Sequence, residues 1–373
     1  MAVTLDASPP TGVYVGLGVE YKLSLDSAGT DPIEKRMWYE LLVGGSQVGS
    51  RRVAPYVPGG VTIDFSPMIV PLFSTGFLSL TSTATQDISS YMDLSVQIRY
   101  GEYEYNKDTG AQTETSNTTS SAIDVVNVYA RYNEDQELPI GKRWLTTKPE
   151  HFIIGTEQSD WICVDGGGNV QFEFFENGVS ASQGGLQSIA TTGPTAIPIG
   201  GKNFHSAFSL KAGSCVTGGY VIFNGVRKSF EYRPCKRGGQ LFFRDPAGGF
   251  NSMWFDRIET SVGRSSQRYE QYAGFVSSGA TRATTGGTRE IRPTGTDVVR
   301  FTTDVLHANV KHFNEYISAL MSAKEHYILT DDIQGSSGRL TRFIVDAATA
   351  PARASEDKVT VSITGRVART NNS

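Results

Sequence analysis

The chain has little cysteine, little charge and no long apolar run, and each shortage closes a route. Only Cys163, Cys215 and Cys235 occur among 373 residues, an odd number whose spacing matches neither a zinc knuckle nor a disulfide framework. Free cysteine behaves as a small hydrophobe, so buried thiols are expected, with no disulfide and no metal. No segment approaches the roughly 20 consecutive apolar residues that span a bilayer. The opening Met1-Ala2-Val3-Thr4-Leu5-Asp6 lacks the basic head and apolar core of a signal peptide. Synthesis in a cytoplasm without membrane insertion is therefore expected. Charged residues make up 19%, 34 basic against 38 acidic, for a net charge of -4. Such a balance supplies no general positive field for a phosphate backbone, and nucleic acid is not expected as the main partner.

What is present is glycine, 40 residues of it, beside 19 Phe and 16 Tyr, a composition of many turns between short strands. The length exceeds what one core usually organises, since domains commonly run about 100–200 residues. The expected fold is mainly β, with two or three β-sandwich-like domains and one amphipathic helix near the C-terminus. Residues 1–138 read as a fibronectin-like β-sandwich. Its strands include Gly12 to Val15, Glu20 to Leu25, Met37 to Val43, Val61 to Phe65, Leu94 to Tyr100 and Val125 to Ala130, in which apolar and polar residues nearly alternate. Asn106 to Ser121 is polar, without apolar period, and reads as a long exposed loop or hairpin tip. The charged, Pro-containing Asn133 to Pro139 marks the boundary.

Residues 139–262 read as a second β domain, with strands Trp161 to Val164, Val170 to Phe175, Tyr220 to Phe223 and Val226 to Phe230. Asn224-Gly225 between the last two predicts a type I′ hairpin, because both turn residues accept positive φ. Residues 176–206 read as loops with short strands at most. Residues 263–373 supply a polar loop, a helix and terminal strands, either as a unit of their own or completing the second domain. Gly263 to Thr296 reads as flexible or partner-ordered backbone. Leu306, Val310, Phe313, Ile317 and Leu320 fall on one face of a helix at about 302–323. Val359 to Thr364 alternates strictly and predicts a closing strand.

Residues able to carry chemistry are scattered. Asp108-Thr109-Gly110-Ala111 has the local signature of an aspartic protease, but such a loop should leave a hydrophobic strand, and Asn106-Lys107 precede it; an exposed turn is expected. Gly166-Gly167-Gly168 lacks the Lys-Ser/Thr ending of a phosphate cradle and reads as a hairpin turn. His151, His205, His307, His312 and His326 include no His-Glu-x-x-His pair, and no Gly-x-Ser-x-Gly elbow occurs. Asp331-Asp332 and Glu102/Glu104 are paired acids, but alternate Glu residues on a strand usually mark its solvated face. Tyr100, Tyr103 and Tyr105, or Trp38 and Trp161, are candidates for a sugar-stacking platform, against core packing as the simpler reading. No catalytic, cofactor-binding or metal-ligating residue is assigned, and no enzyme activity is expected.

Several stretches resemble a family. Arg143-Trp144-Leu145-Thr146-Thr147-Lys148, running into Pro149-Glu150-His151-Phe152-Ile153-Ile154, is similar to the lead-in of the second domain in tail-associated structural proteins of tailed phages and prophages of Bacteroidetes. Leu241-Phe242-Phe243-Arg244-Asp245-Pro246-Ala247-Gly248-Gly249-Phe250-Asn251-Ser252-Met253-Trp254-Phe255 resembles their pair of aromatic strands around an Asn-x-x-Gly-Gly turn, with Asp245 in place of the usual Asn. Further agreement lies in Arg51 to Pro55 leading to Val61 to Phe65, and in Ser95 to Glu102 ending in Tyr-Gly-Glu. The resemblance covers about a third of the chain in matching order. It implies a virion component of the tail, neck or baseplate, forming a ring-like homo-oligomer or adaptor with other virion proteins. A carbohydrate-binding or receptor-binding adhesive module is the alternative.

Overall fold

The computed structural model describes residues 3–74, 76–128, 143–234, 238–271, 287–306, 310–323, 325–329, 340–349 and 358–367. Side chains are described within these except at 262–271, 287–297, 304–306, 310–315, 349 and 358–359. The fold is mainly β, with several sheets forming sandwich-like layers. By contacts it divides into one unit of Met1–Arg233 with Arg244–Asn251, and a second of Pro234–Phe243 with Ser252–Ser373. The expected boundary at Asn133 to Pro139 lies outside the described residues.

The first unit begins with a sandwich. Thr4–Ala7, Glu20–Ser24 and Val61–Asp64 form a three-stranded sheet; a seven-stranded sheet is built on Ile33–Val43 and Asp93–Asn106. Tyr21 and Leu23 turn inward while Glu20 and Lys22 stay exposed, and Val96, Ile98 and Tyr100 alternate likewise, so period-2 patterning places one face of each strand in a shared core. The polar stretch expected as a long exposed loop or hairpin tip is a hairpin, and more of it is strand than expected: Gln112–Thr119 pairs antiparallel with Arg99 to Tyr105, with a bulge between Glu114 and Ser116. Backbone pairing needs no apolar pattern when neither face meets a core.

A second sandwich follows. Arg143–Trp144, Trp161–Asp165, Thr195–Pro198 and Gln86–Asp87 make a four-stranded sheet; His151–Gly155, Val226–Arg233, Gly218–Phe223, Gly168–Glu176 and Val179–Ser180 lead a six-stranded one. Phe172, Phe174, Phe223 and Phe230 fill the core between them. Gln86–Asp87 comes from the N-terminal segment and pairs with Thr195 and Ala196, which ties the two sandwiches into one unit. Gly166-Gly167-Gly168 is not the expected hairpin turn, because Trp161–Asp165 and Gly168–Glu176 belong to different sheets. It is the corner between them, with Gly166 at φ 101, a conformation that favours a residue without Cβ. The Asn224-Gly225 turn has φ 50 and 75, the type I′ geometry expected. A Cβ on Gly225 would touch nothing within 4 Å, so Gly225→Ala is expected to cost only the left-handed strain, about 1 kcal/mol, read as a lower urea midpoint with unchanged slope.

Arg244–Asn251, the tip between two aromatic strands, clusters with this first unit. Gly249 N donates to Leu145 O at 3.0 Å, and Phe250 N donates to Cys163 Sγ at 3.3 Å. Asp245, fully buried, accepts from Thr147 N (2.8 Å), Thr147 Oγ1 (2.7 Å), Ala247 N (2.8 Å) and Asn251 Nδ2.

The second unit is a seven-stranded sheet in the order Phe250–Phe255, Gly239–Arg244, His326–Leu329, Leu340–Thr349, Lys358–Val367, Gly287–Leu306, Arg257–Gln271. Its two outermost strands are consecutive in sequence with only Asp256 between them, so the sheet must curl. The helix Val310–Ser322 packs Tyr316, Ile317 and Leu320 against Phe243, Phe255, Phe301 and Phe343. It is shorter than the 302–323 expected. Residues 302–306 continue a strand and pair with Ser362 back to Lys358, and the β-branched run Thr302-Thr303 with Val305 suits an extended chain. Gly263 to Thr296, expected as flexible or partner-ordered backbone, contains strands paired within the chain, Gly263 to Gln271 against Gly287 to Thr296; residues 272–286 lie outside the described residues.

Candidate functional site

The outward face of the seven-stranded sheet of the first unit carries an unusual amount of charge at low exposure. Trp38, Glu40 and Leu42 alternate with the core residues Met37 and Leu41, so they point away from the sandwich interior, yet all three are buried. Their cover is local. The Arg51 guanidinium lies 3.6 Å from the centre of the Trp38 ring, donates to Tyr103 Oη at 2.6 Å and Glu114 Oε2 at 2.7 Å, and reaches Glu40 at 3.3 Å. Arg99 meets Glu40 from the other side at 2.9 Å. Three carboxylate and phenol partners outweigh burial and hold the Arg51 guanidinium above its ordinary pKa. Arg36 lies over Tyr105 at 4.4 Å. The six-stranded sheet repeats the device with Arg227 over Tyr220 at 3.8 Å. An arginine held over an aromatic ring covers the ring and keeps its own charge wet at the edge, so Trp38 and Tyr220 are covered locally, while Val53 on the first outer face and Ile153 on the second stay exposed.

Glu102 corrects the expectation of a solvated glutamate face. It is buried, paired with Lys35 at 3.2 Å, and accepts from Thr115 Oγ1 at 3.2 Å. Trp38 and Trp161 are buried, and Tyr103 and Tyr105 are covered by arginines, so these rings form no open stacking platform. Asp108-Thr109-Gly110 is the turn of the polar hairpin: Asn106 Oδ1 accepts from Asp108 N at 2.9 Å and Thr109 N at 3.1 Å, and Gly110 takes φ 71. Cys163 is buried, its thiol pushed up to about 12 by loss of solvent; Cys215 is exposed, contrary to expectation, because it sits in irregular chain before the strand Gly218–Phe223. Cys235, His307 and Asp331-Asp332 lie outside the described residues, as does the His312 side chain. His151 is exposed with Nδ1 3.0 Å from Ser229 Oγ. His205 and His326 are buried and held below the ordinary imidazole pKa by desolvation. Among the described residues no group of three or more His, Cys, Asp or Glu is placed to hold a metal, and no helix is long and apolar enough to cross a membrane.

Backbone is left open at the sheet edges and on one arm. The edge Gln112–Thr119 in the first unit is polar and carries a bulge between Glu114 and Ser116, a feature that discourages further pairing. The second unit contrasts with this. Val298 to Leu306 pairs with Lys358 to Arg366, but Gly287 to Asp297 pairs only with Val262 to Gln271 among the described residues. A two-stranded ribbon thus runs on past the sheet, about 30 Å from Gly263 to Gln271 at about 3.3 Å per residue. No known family model matches the chain, and no curated protein matches it.

Proposed function

We propose that the chain is a structural subunit of a tailed-phage virion, in the tail, neck or baseplate region, which builds a ring or adaptor through contacts between copies and with other virion proteins. The observation that carries the assembly reading is the two-stranded arm. An isolated two-stranded ribbon is marginal in water, and among the described residues neither of its edges is paired, which offers N–H and C=O groups to a further strand. A strand or surface supplied by a neighbour satisfies them, and repetition of one such heterologous contact closes a ring. The virion setting rests on the resemblance of Leu241 to Phe255 and of Arg143 to Ile154 to tail-associated proteins.

Light scattering coupled to size exclusion, with negative-stain images of the peak, tests the reading. The full chain is expected to form a defined oligomer, and a variant with residues 264–295 replaced by an Asn-Gly turn is expected to run as a monomer. The variant keeps the pairing of Val298 to Leu306, so its melting temperature should fall by no more than a few degrees. An oligomer that survives the replacement removes the arm from the interface. A monomeric full chain that binds glycans on an array points instead to an adhesive module.

A further inference from the structure

Of the described ion pairs, only Lys148 with Asp160 is closed to water on both sides, the two side chains being 2% and 1% exposed with Nζ 2.5 Å from Oδ2. Removing two opposite charges from water costs several kcal/mol per ion, so such a pair is under pressure to lose its charge. The residues around it are fixed. Ile199 N and Gly200 N both donate to Asp160 O, at 2.9 and 3.1 Å, and Asp160 N donates to Asn203 Oδ1 at 3.0 Å. A Cβ on Gly200 would fall 2.4 Å from Asp160 N, and one on Gly201 would fall 2.0 Å from Thr156 O, so this glycine pair is what lets the chain close on Asp160. On the other side, the Lys148 ammonium lies 5.1 Å from the centre of the Phe152 ring. Asn203 is itself fully buried, and its Nδ2 has no hydrogen-bond partner among the described residues.

We infer that Lys148 and Asp160 form an intramolecular isopeptide bond. The ammonium passes a proton to the carboxylate, giving a neutral amine and a carboxylic acid. The Nζ lone pair then attacks Asp160 Cγ, a Cγ–N bond forms, and a Cγ–O bond breaks. The departing hydroxyl takes a proton from the attacking nitrogen and leaves as water. The product is a secondary amide with one N–H, no atom changes oxidation state, and no co-reactant is needed. Two reacting groups held in contact gain effective molarities of about 10⁵–10⁸ M, and the dry surroundings favour expulsion of water. Neutralisation removes both desolvation costs at once. The bond would join the lead-in to the strand His151–Gly155 with the lead-in to Trp161–Asp165, and so staple the two sheets of the second sandwich.

Intact-mass measurement of the denatured full chain tests this, since an amide leaves it one water lighter than its sequence. Cleavage at glutamate falls at Glu150 and Glu157, between the two residues, so a branched peptide carrying both Lys148 and Asp160 is expected from the wild type. Lys148→Arg should restore the full sequence mass, and Asp160→Asn should give a chain one ammonia lighter if the amide nitrogen serves as leaving group. A wild-type chain at full sequence mass with no branched peptide, or a lost water that maps elsewhere, overturns the inference without need of any folded variant.

Discussion

Asp245→Ala is expected to destabilise the first unit by about 3–5 kcal/mol, because it strands four donors in a place where each orphaned buried donor costs about 1–3 kcal/mol. Those donors are Thr147 N, Thr147 Oγ1, Ala247 N and Asn251 Nδ2. They come from both the tip and the segment it docks on, so the loss should loosen residues 244–251 as well as lower the urea midpoint, and amide exchange at Gly249, whose N–H donates to Leu145 O, reports it. Asp245→Asn keeps one acceptor and turns the other into a donor, so it should cost about 1–3 kcal/mol. Burial raises the Asp245 pKa above 3.8, outweighing the hydrogen bonds that lower it. A carboxyl whose folded pKa is raised binds its proton more tightly in the folded state, so stability from this group is full below the unfolded value and falls as pH rises through the folded one. Asn has no such slope, and the gap between wild type and Asp245→Asn should narrow as pH rises through that window. A constant gap from acid to neutral pH would show that Asp245 does not titrate with folding, and a cost below about 0.5 kcal/mol for Asp245→Ala would show that the tip does not depend on it.

What could be read in the sequence was local, and what could not depended on partners far along the chain. Asn224-Gly225 was legible because two adjacent residues determine a type I′ turn by themselves. The strands of the two sandwiches were legible because alternation survives wherever one face meets a core, as at Tyr21 and Leu23. Leu306 fits a helical spacing with Val310, yet pairing of Leu306 with Lys358 decides for a strand, and that partner is invisible to a window of neighbours. Polar hairpins escape periodicity altogether, since Gln112–Thr119 packs on no core and is held by backbone bonds. The closed charge clusters escape for a different reason. Glu40 and Glu102 are buried only because Arg51, Arg99 and Lys35 reach them from other strands, and a sequence shows the glutamates without their partners. The one available hint was Glu40 standing within the apolar run from Met37 to Val43.

Gly101→Val should be among the most damaging single changes in the seven-stranded sheet, at about 3–5 kcal/mol, comparable to emptying a buried aromatic site. The reason is steric, not conformational. A Cβ at this position would fall 1.9 Å from Ser116 O on the edge strand and 2.7 Å from Trp38 Cε2 on the central one. Trp38 pairs directly opposite Gly101 and borders the space that the missing side chain leaves, with the Arg51 guanidinium 3.6 Å from its ring centre. Any side chain at 101 therefore expels the indole, uncovers Arg51 and pushes Ser116 off its bonds to the neighbouring strand, where Ser116 Oγ accepts from Glu102 N at 2.9 Å. The Arg51 links to Glu114 and Glu40 would follow, since its guanidinium is placed by the ring beneath it. Because both changes act on one contact, Gly101→Val and Trp38→Ala should be strongly non-additive, with a coupling of about 1–3 kcal/mol in a double-mutant cycle. Urea denaturation gives the three stabilities and near-ultraviolet circular dichroism reports the indole. Simple additivity would show that the cost at 101 comes from the edge strand alone, and a tolerated valine would show that the indole does not lie over Gly101.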